Sequence, residues 1–283
     1  MLRNAIIPFI FFLTGVIANS STLAKDQVIT WMTFDYPPIY QSNHKGFGDI
    51  VLKQFKQCLE GYKHVELGQS SFPRIFKFLD SKKSIYCLPA LGTEPKVHPD
   101  KHISKLVFTI PNAFIVIRKE DEAKFKGKNN KVSLETLFRK TSLIGGMVEK
   151  GTYGEQVNEL IKKYENRVLK RNAVDPVGFY KMLHQKRFDF FFEYPVSFIH
   201  HVRNLSVTER NEFSYLLLRE NTEMGPIKAY ALCSAQSSDV IEKINKCLSD
   251  PLVQKSYVES LVDELPLDLQ KKYRNLNFQK IGI

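Results

Sequence analysis

A strand-like segment that stops at an acidic-aromatic-proline cluster and returns as a helix constrains this chain more than any other stretch. Val28-Ile29-Thr30-Trp31-Met32-Thr33 reads as a strand and runs into Phe34-Asp35-Tyr36-Pro37-Pro38-Ile39-Tyr40. A polar turn over Gln41 to Lys45 then leads to Gly46-Phe47-Gly48-Asp49, where an amphipathic helix opens with Ile50, Val51, Phe55, Cys58 and Leu59 on one face. Asp49 sits where a carboxylate caps the first free N–H groups of a helix. Small-molecule sites are built at such strand-to-helix junctions, at the carboxyl ends of parallel strands. Strand and helix signals alternate along nearly the whole chain, which predicts an α/β fold with mostly parallel sheets flanked by helices.

The first residues read as a leader. Arg3 is the only charge before Lys25, and Ala5 to Val16 is an apolar run of signal-peptide length. Val16-Ile17-Ala18 and Thr22-Leu23-Ala24 both have the small-residue spacing of a cleavage site, so processing is expected near 18 or 24. No cysteine lies near either site, which argues against a lipid anchor; an uncleaved membrane anchor is the competing reading. No later segment is apolar enough to span a bilayer, so a soluble protein exported to the periplasm is expected.

Without residues 1–24 the chain of 283 becomes 259, and loss of Arg3 takes the formal charge from +11 to +10. That length suits one large domain or two lobes. A charged, aperiodic stretch from Arg118 to Lys131 marks a passage between lobes. The expected division is 25–117 plus 229–283 for the first lobe and 118–228 for the second. The positive charge does not form a nucleic-acid footprint, because basic residues are interspersed with acids, as in Lys162-Lys163-Tyr164-Glu165. The densest run, Lys124 to Lys131, holds four lysines among Gly and Asn and reads as a solvated loop.

Four cysteines, Cys58, Cys87, Cys233 and Cys247, permit disulfides in an exported protein. No CxxC pair is present, so zinc and thioredoxin-like chemistry lack their spacing. Buried free thiols and bridges both fit; if bridges form, Cys58–Cys87 and Cys233–Cys247 would each stay within one region of the chain. His200-His201 resembles a metal pair, but adjacent residues on a helix point apart, and no metal or cofactor is expected.

Four junctions carry polar or aromatic residues where an apolar strand ends: Asp35-Tyr36, Ala90 to Lys96, Gly151-Thr152-Tyr153 and Glu193-Tyr194. Two precede the charged passage and two follow it, so they would face each other across a cleft. Each also has a plainer reading. Tyr36 can pack at a sheet edge, Gly151-Thr152 can be a turn and cap, Glu193 can form a salt bridge, and Lys96 can be solvated.

In their order these junctions resemble the periplasmic solute-binding proteins of family 3, the polar amino acid receptors with the type II bilobal fold. The resemblance rests on Asp35, Tyr36 and Pro37-Pro38, the helix start Gly46-Phe47-Gly48-Asp49-Ile50-Val51-Leu52, the loop from Cys87 to Lys96 followed by Phe108 to Asn112, the turn Gly151-Thr152-Tyr153, and the strand Asp189 to Glu193. It covers about residues 28 to 262. It implies that Tyr36 stacks on a ligand, that Thr93 and Thr152 offer hydroxyls, and that Glu193 takes a cation. The family's carboxylate-binding arginine is not in the matching loop. Lys96 is nearest but lacks the bidentate fork, and Arg74 is the available substitute. Pro89, Ala90 and Gly92 stand where the family has serines.

The resemblance implies a monomeric receptor that closes on a small polar, amino-acid-like or charged solute and passes it to an ABC-type permease or a sensor. An enzyme on the same fold, a dehydratase using Glu193 as acid, is the alternative, and an envelope sensor or interaction module without transport is another. No nucleophile–His–Asp set and no metal-ligand spacing demand the enzyme.

Overall fold

The computed structural model describes residues 27–93, 95–125, 130–149, 151–172, 176–222, 225–265 and 267–278. The expected leader over residues 1–24 lies outside them. Eleven strands among the described residues form two sheets. Five strands, β1 (Val28–Thr33), β2 (Lys63–Gln69), β3 (Ile85–Gly92), β4 (His102–Ile110) and β11 (Ile227–Cys233), form the first in the order β2-β1-β3-β11-β4. The second has the order β6-β10-β5-β9-β7-β8, from β5 (Phe114–Arg118), β6 (Lys131–Val132), β7 (Gly145–Val148), β8 (Val168–Arg171), β9 (Phe190–Glu193) and β10 (Phe213–Leu218). Helices α1 (Phe47–Cys58) and α2 (Phe72–Leu79) belong to the first unit. The second carries α3 (Leu134–Lys140), α4 (Glu155–Lys163), α5 (Pro176–His184), α6 (Pro195–Arg203), α7 (Val207–Arg210) and α8 (Arg219–Thr222). The chain then returns to the first with α9 (Ser238–Cys247), α10 (Pro251–Asp263) and α11 (Leu267–Phe278). Among the described residues no helix is long and apolar enough to cross a membrane.

The chain crosses between the sheets twice, from β4 to β5 and from α8 to β11. Every antiparallel pair contains β5 or β11, the first strand after each crossing; the remaining pairs are parallel. The two crossing segments are tied together. The Asn112 side-chain amide donates to the carbonyls of Asn221 at 3.1 Å and Gly225 at 3.0 Å. Asn221 returns a bond to the Ala113 carbonyl at 2.8 Å.

The charged passage misplaces the crossings in the sequence reading. β5, read there as the end of the first lobe, pairs with β9 and β10 in the second sheet, and Ile227 and Lys228, read as the end of the second lobe, open β11 in the first. The reason is physical. Charge marks the exposed turn after β5, whereas the crossing itself runs through Pro111-Asn112-Ala113, whose only signal is a proline between two apolar strands.

Local chemistry fixes the opening segment. After β1 the backbone of Tyr36 and Tyr40 pairs in both directions, at 3.2 and 3.1 Å, closing a turn around the prolines. The first N–H groups of α1 then donate to that turn, Phe47 to Pro38 at 3.1 Å and Gly48 to Ile39 at 2.7 Å. A Cβ on Gly46 or Gly48 would sit 2.3 or 2.8 Å from the Ile39 carbonyl oxygen, so only glycine allows this approach. Asp49 caps the arrangement, its carboxylate accepting from the Gln41 and Gly46 amides at 2.9 and 3.0 Å.

The disulfides differ from the sequence pairing. Cys58 is joined to Cys247, and Cys87 to Cys233. β11 returns after the second sheet to lie beside β3, putting Cys233 opposite Cys87, and α9 packs beside α1 so that their final residues meet. Proximity in sequence was the wrong guide, because both partners in each bridge flank the inserted second sheet. In the polar and aromatic tail that starts at Leu265, whose structure is unclear from the sequence, Leu267–Phe278 form helix α11. It docks through the buried Asn277, which accepts from the Thr109 amide at 2.8 Å.

Non-reducing peptide mapping should recover Cys58–Cys247 and Cys87–Cys233 peptides; a Cys58–Cys87 peptide would contradict this topology. The Cys58→Ser/Cys247→Ser double variant should lose about 2–4 kcal/mol in urea unfolding, the usual cost of removing a native bridge.

Candidate functional site

A cleft of about 680 Å³ opens between the two sheets. That volume is in the range of small-molecule sites, roughly 300–1,000 Å³. Its walls come from the carboxyl ends of strands in both sheets: Tyr36 follows β1, Thr93 follows β3, Gly151-Thr152-Tyr153 follow β7, and Tyr194 follows β9. On the first side the aromatic rings run in sequence. Tyr36 meets Phe34 edge-on at 6.2 Å, Phe34 meets Phe72 at 4.8 Å, Phe72 meets Phe76 at 6.4 Å, and Phe76 stacks on His98 at 5.4 Å. On the second side Tyr153 and Tyr194 stack at 6.0 Å. Tyr194 meets Tyr36 edge-on at 6.1 Å, closing the floor between the sheets.

Behind that floor lies a buried carboxyl group that bridges them. Glu193, the last residue of β9, is 2% exposed. Its Oε1 accepts the Tyr36 hydroxyl and, at 2.8 Å, the Tyr194 amide. Burial raises its pKa from the ordinary 4.5 to about 7, and the two hydrogen bonds pull the other way without overcoming it. Burial, followed by the neighbouring Glu193 charge, pushes the Tyr36 hydroxyl well above its usual range, so it stays a donor. Burial also lowers the His98 imidazole below 6.5, which leaves it neutral at physiological pH, with Nε2 3.1 Å from the Thr93 hydroxyl.

No family model matches the sequence, and no curated protein matches it. Solved structures do. A histidine kinase sensor domain with similarity to periplasmic binding proteins superposes with a TM-score of 0.64 at 13% identity, covering 84% of this chain and 96% of that one. An ancestral arginine-binding protein bound to arginine gives 0.63 at 18%, covering 84% and 98%. An amino acid ABC transporter substrate-binding protein from Streptococcus pneumoniae bound to L-arginine gives 0.62 at 16%, covering 85% and 94%. The chain has the two-lobed fold of the periplasmic solute-binding proteins. The cleft described above is the space between its lobes.

Of the ten residues singled out in the sequence, six line this cleft: Tyr36, Thr93, Lys96, Gly151, Thr152 and Tyr153. Four do not. Asp35 turns away and accepts from the Gln69 amide at 3.3 Å. Ala90 is buried in β3, where the Tyr40 hydroxyl bonds both its N–H and its carbonyl at 2.9 Å. Arg74 is exposed on the outer face of α2, its guanidinium 5.7 Å from the Phe78 ring centre, because Phe72 and Phe76 take the cleft side of that helix. Glu193 is enclosed behind Tyr36 and Tyr194. Lys96 reaches across the mouth to Glu155 at 2.6 Å.

The sequence reading missed Phe34, Phe72, Phe76, His98 and Asn158 as cleft residues. Phe72, Ile75, Phe76 and Leu79 recur at helical spacing in the sequence, and nothing in that pattern separates cleft-facing rings from core-facing ones. Asn158 holds the second wall in shape, accepting from the Tyr153 amide at 3.0 Å and donating to the Thr152 hydroxyl at 3.0 Å.

The raised Glu193 pKa ties stability to pH. The folded protein holds a proton there that the unfolded chain releases, so this contribution is complete below pH 4.5 and is lost as pH rises to about 7. The stability difference between wild type and Glu193→Gln should therefore fall by about 3 kcal/mol across that window in urea unfolding. A difference that stays flat from pH 4.5 to 7.5 would contradict a neutral buried acid.

Proposed function

We propose that this chain is an extracytoplasmic solute-binding protein. It captures a small solute between its lobes by hinge closure and presents it to an ABC-type transporter or a membrane sensor. The observation that carries this reading is the cleft itself: one cavity of about 680 Å³, walled by aromatic rings from both sheets, at the carboxyl ends of the strands. The double crossing supports hinge motion, since the lobes are joined by two neighbouring segments held through Asn112 and Asn221. The two disulfides, with the apolar leader in the sequence, support an oxidising compartment outside the cytoplasm. Two of the structures similar in fold are described as bound to arginine and a third as a sensor domain, which supports binding followed by either transport or signalling.

The lyase alternative would need Glu193 to meet a substrate. Its carboxyl group is not on the cleft wall and is engaged by the Tyr36 hydroxyl and the Tyr194 amide, so the geometry favours binding over turnover.

A thermal-shift screen over amino acids, carboxylates, amines, sugars and small aromatic compounds tests the proposal. A solute at a hundred times its Kd adds about 2.7 kcal/mol of stability, enough to raise the melting temperature by several degrees. Tyr36→Ala should abolish that shift, and Tyr36→Phe, which keeps the ring, should retain most of it. A screen in which no solute stabilises the wild type would overturn the reading.

A further inference from the structure

We infer that the occupant of this cleft is an uncharged, ring-bearing molecule, an aromatic alcohol or amide, rather than an amino acid zwitterion. The inference rests on the binding reading above and narrows it. It begins with where the charges are. Four ionised side chains line the cleft, Lys96, Glu155, Glu159 and Lys162, and all four are exposed. They carry two charges of each sign, and Lys96 and Glu155 already pair at 2.6 Å. They form the mouth.

Inside the mouth the lining is uncharged. Phe34, Phe72 and Phe76 face the cleft from one lobe and Tyr153 and Tyr194 from the other. The tyrosine hydroxyls of the lining are engaged by Glu193 (Tyr36), the Val148 amide (Tyr153) and the Thr152 carbonyl (Tyr194); the other polar groups are the Thr93 and Thr152 hydroxyls, the Asn158 amide and the His98 ring, which is stacked on Phe76 with 19° between planes. No arginine is among the described lining residues, and Arg74 points to solvent on the far side of α2. The acid that could hold an ammonium group, Glu193, is covered by Tyr36 and Tyr194.

An α-amino acid brings an ammonium and a carboxylate. Each loses its hydration on entering an apolar cleft and must recover it from an opposite charge and a full set of hydrogen bonds. The interior offers neither charge. A planar apolar body, by contrast, gains offset or edge-to-face contact with rings on both sides, and one or two hydroxyl or amide groups find Thr93, His98, Thr152 or Asn158 within the same walls.

Calorimetry at pH 7.5 with compounds that share one ring separates the possibilities. The probes are tryptophol (neutral), tryptamine (cation), indole-3-acetate (anion) and tryptophan (zwitterion), with L-arginine and L-glutamine as amino acids lacking the ring. Tryptophol should bind at least tenfold more tightly than tryptophan, and the two ring-free amino acids should give no saturable heat at millimolar concentration. Phe76→Ala should weaken tryptophol at least tenfold, and Phe76→Leu, which keeps apolar volume but no ring face, should weaken it as well if the alanine variant fails to fold. Tighter binding of tryptophan, arginine or glutamine than of tryptophol overturns the solute class and leaves the binding reading standing. Silence from all six probes also overturns the class, and the binding reading falls with it only if the broad thermal-shift screen is silent too.

Discussion

A buried hydrogen bond from the Tyr36 hydroxyl to the Glu193 carboxyl joins the two sheets where they face each other. One partner follows β1 in the first sheet and the other ends β9 in the second. Much of the site's geometry follows from that contact. It sets the floor of the cleft, because the Tyr36 and Tyr194 rings meet over it. It keeps an acid out of reach of solute, and the burial that does so holds that acid protonated up to about pH 7. A carboxyl group this deep is stable only if it is neutral or fully partnered. Here a phenol and a backbone amide supply the partners while burial favours the neutral form.

The turn that delivers Tyr36 is itself built from the sequence feature with the clearest pattern. Gly46 and Gly48 let α1 start against the Ile39 carbonyl, and Asp49 satisfies the amides on either side. The glycines therefore act on the site indirectly. They fix the helix against the turn, the turn fixes Tyr36, and Tyr36 reaches across to the second lobe.

The α/β alternation was legible because apolar periodicity changes from strand to helix at each junction, and β1 matches the span read from Val28 to Thr33. Cleft residues that lie next to a strand end, such as Tyr36 and Thr152, were legible for the same reason. What stayed hidden depends on where distant segments meet. Whether Glu193 faces solute or stands behind a ring is decided by its partner 157 positions earlier. The bridges Cys58–Cys247 and Cys87–Cys233 depend on the return of the chain after the second sheet. Phe72 and Phe76 carry the same local signal as core residues, and only the position of α2 beside the opening separates them. Helix α11 was missed because its buried positions are few and its anchor is a polar residue, Asn277.

Fold and cleft chemistry thus point in different directions. The lobes and crossings are those of proteins that include arginine binders, while the interior between these lobes carries rings and hydroxyls and keeps its ions at the rim. The most direct test of the account is a crystal structure of the protein grown with the solute that stabilises it most. The account predicts that solute between the Phe72–Phe76 side and the Tyr153–Tyr194 side, with Tyr36 still bonded to Glu193 beneath it. A solute seated outside the cleft, or one whose charged group is bound directly by Glu193, would contradict it.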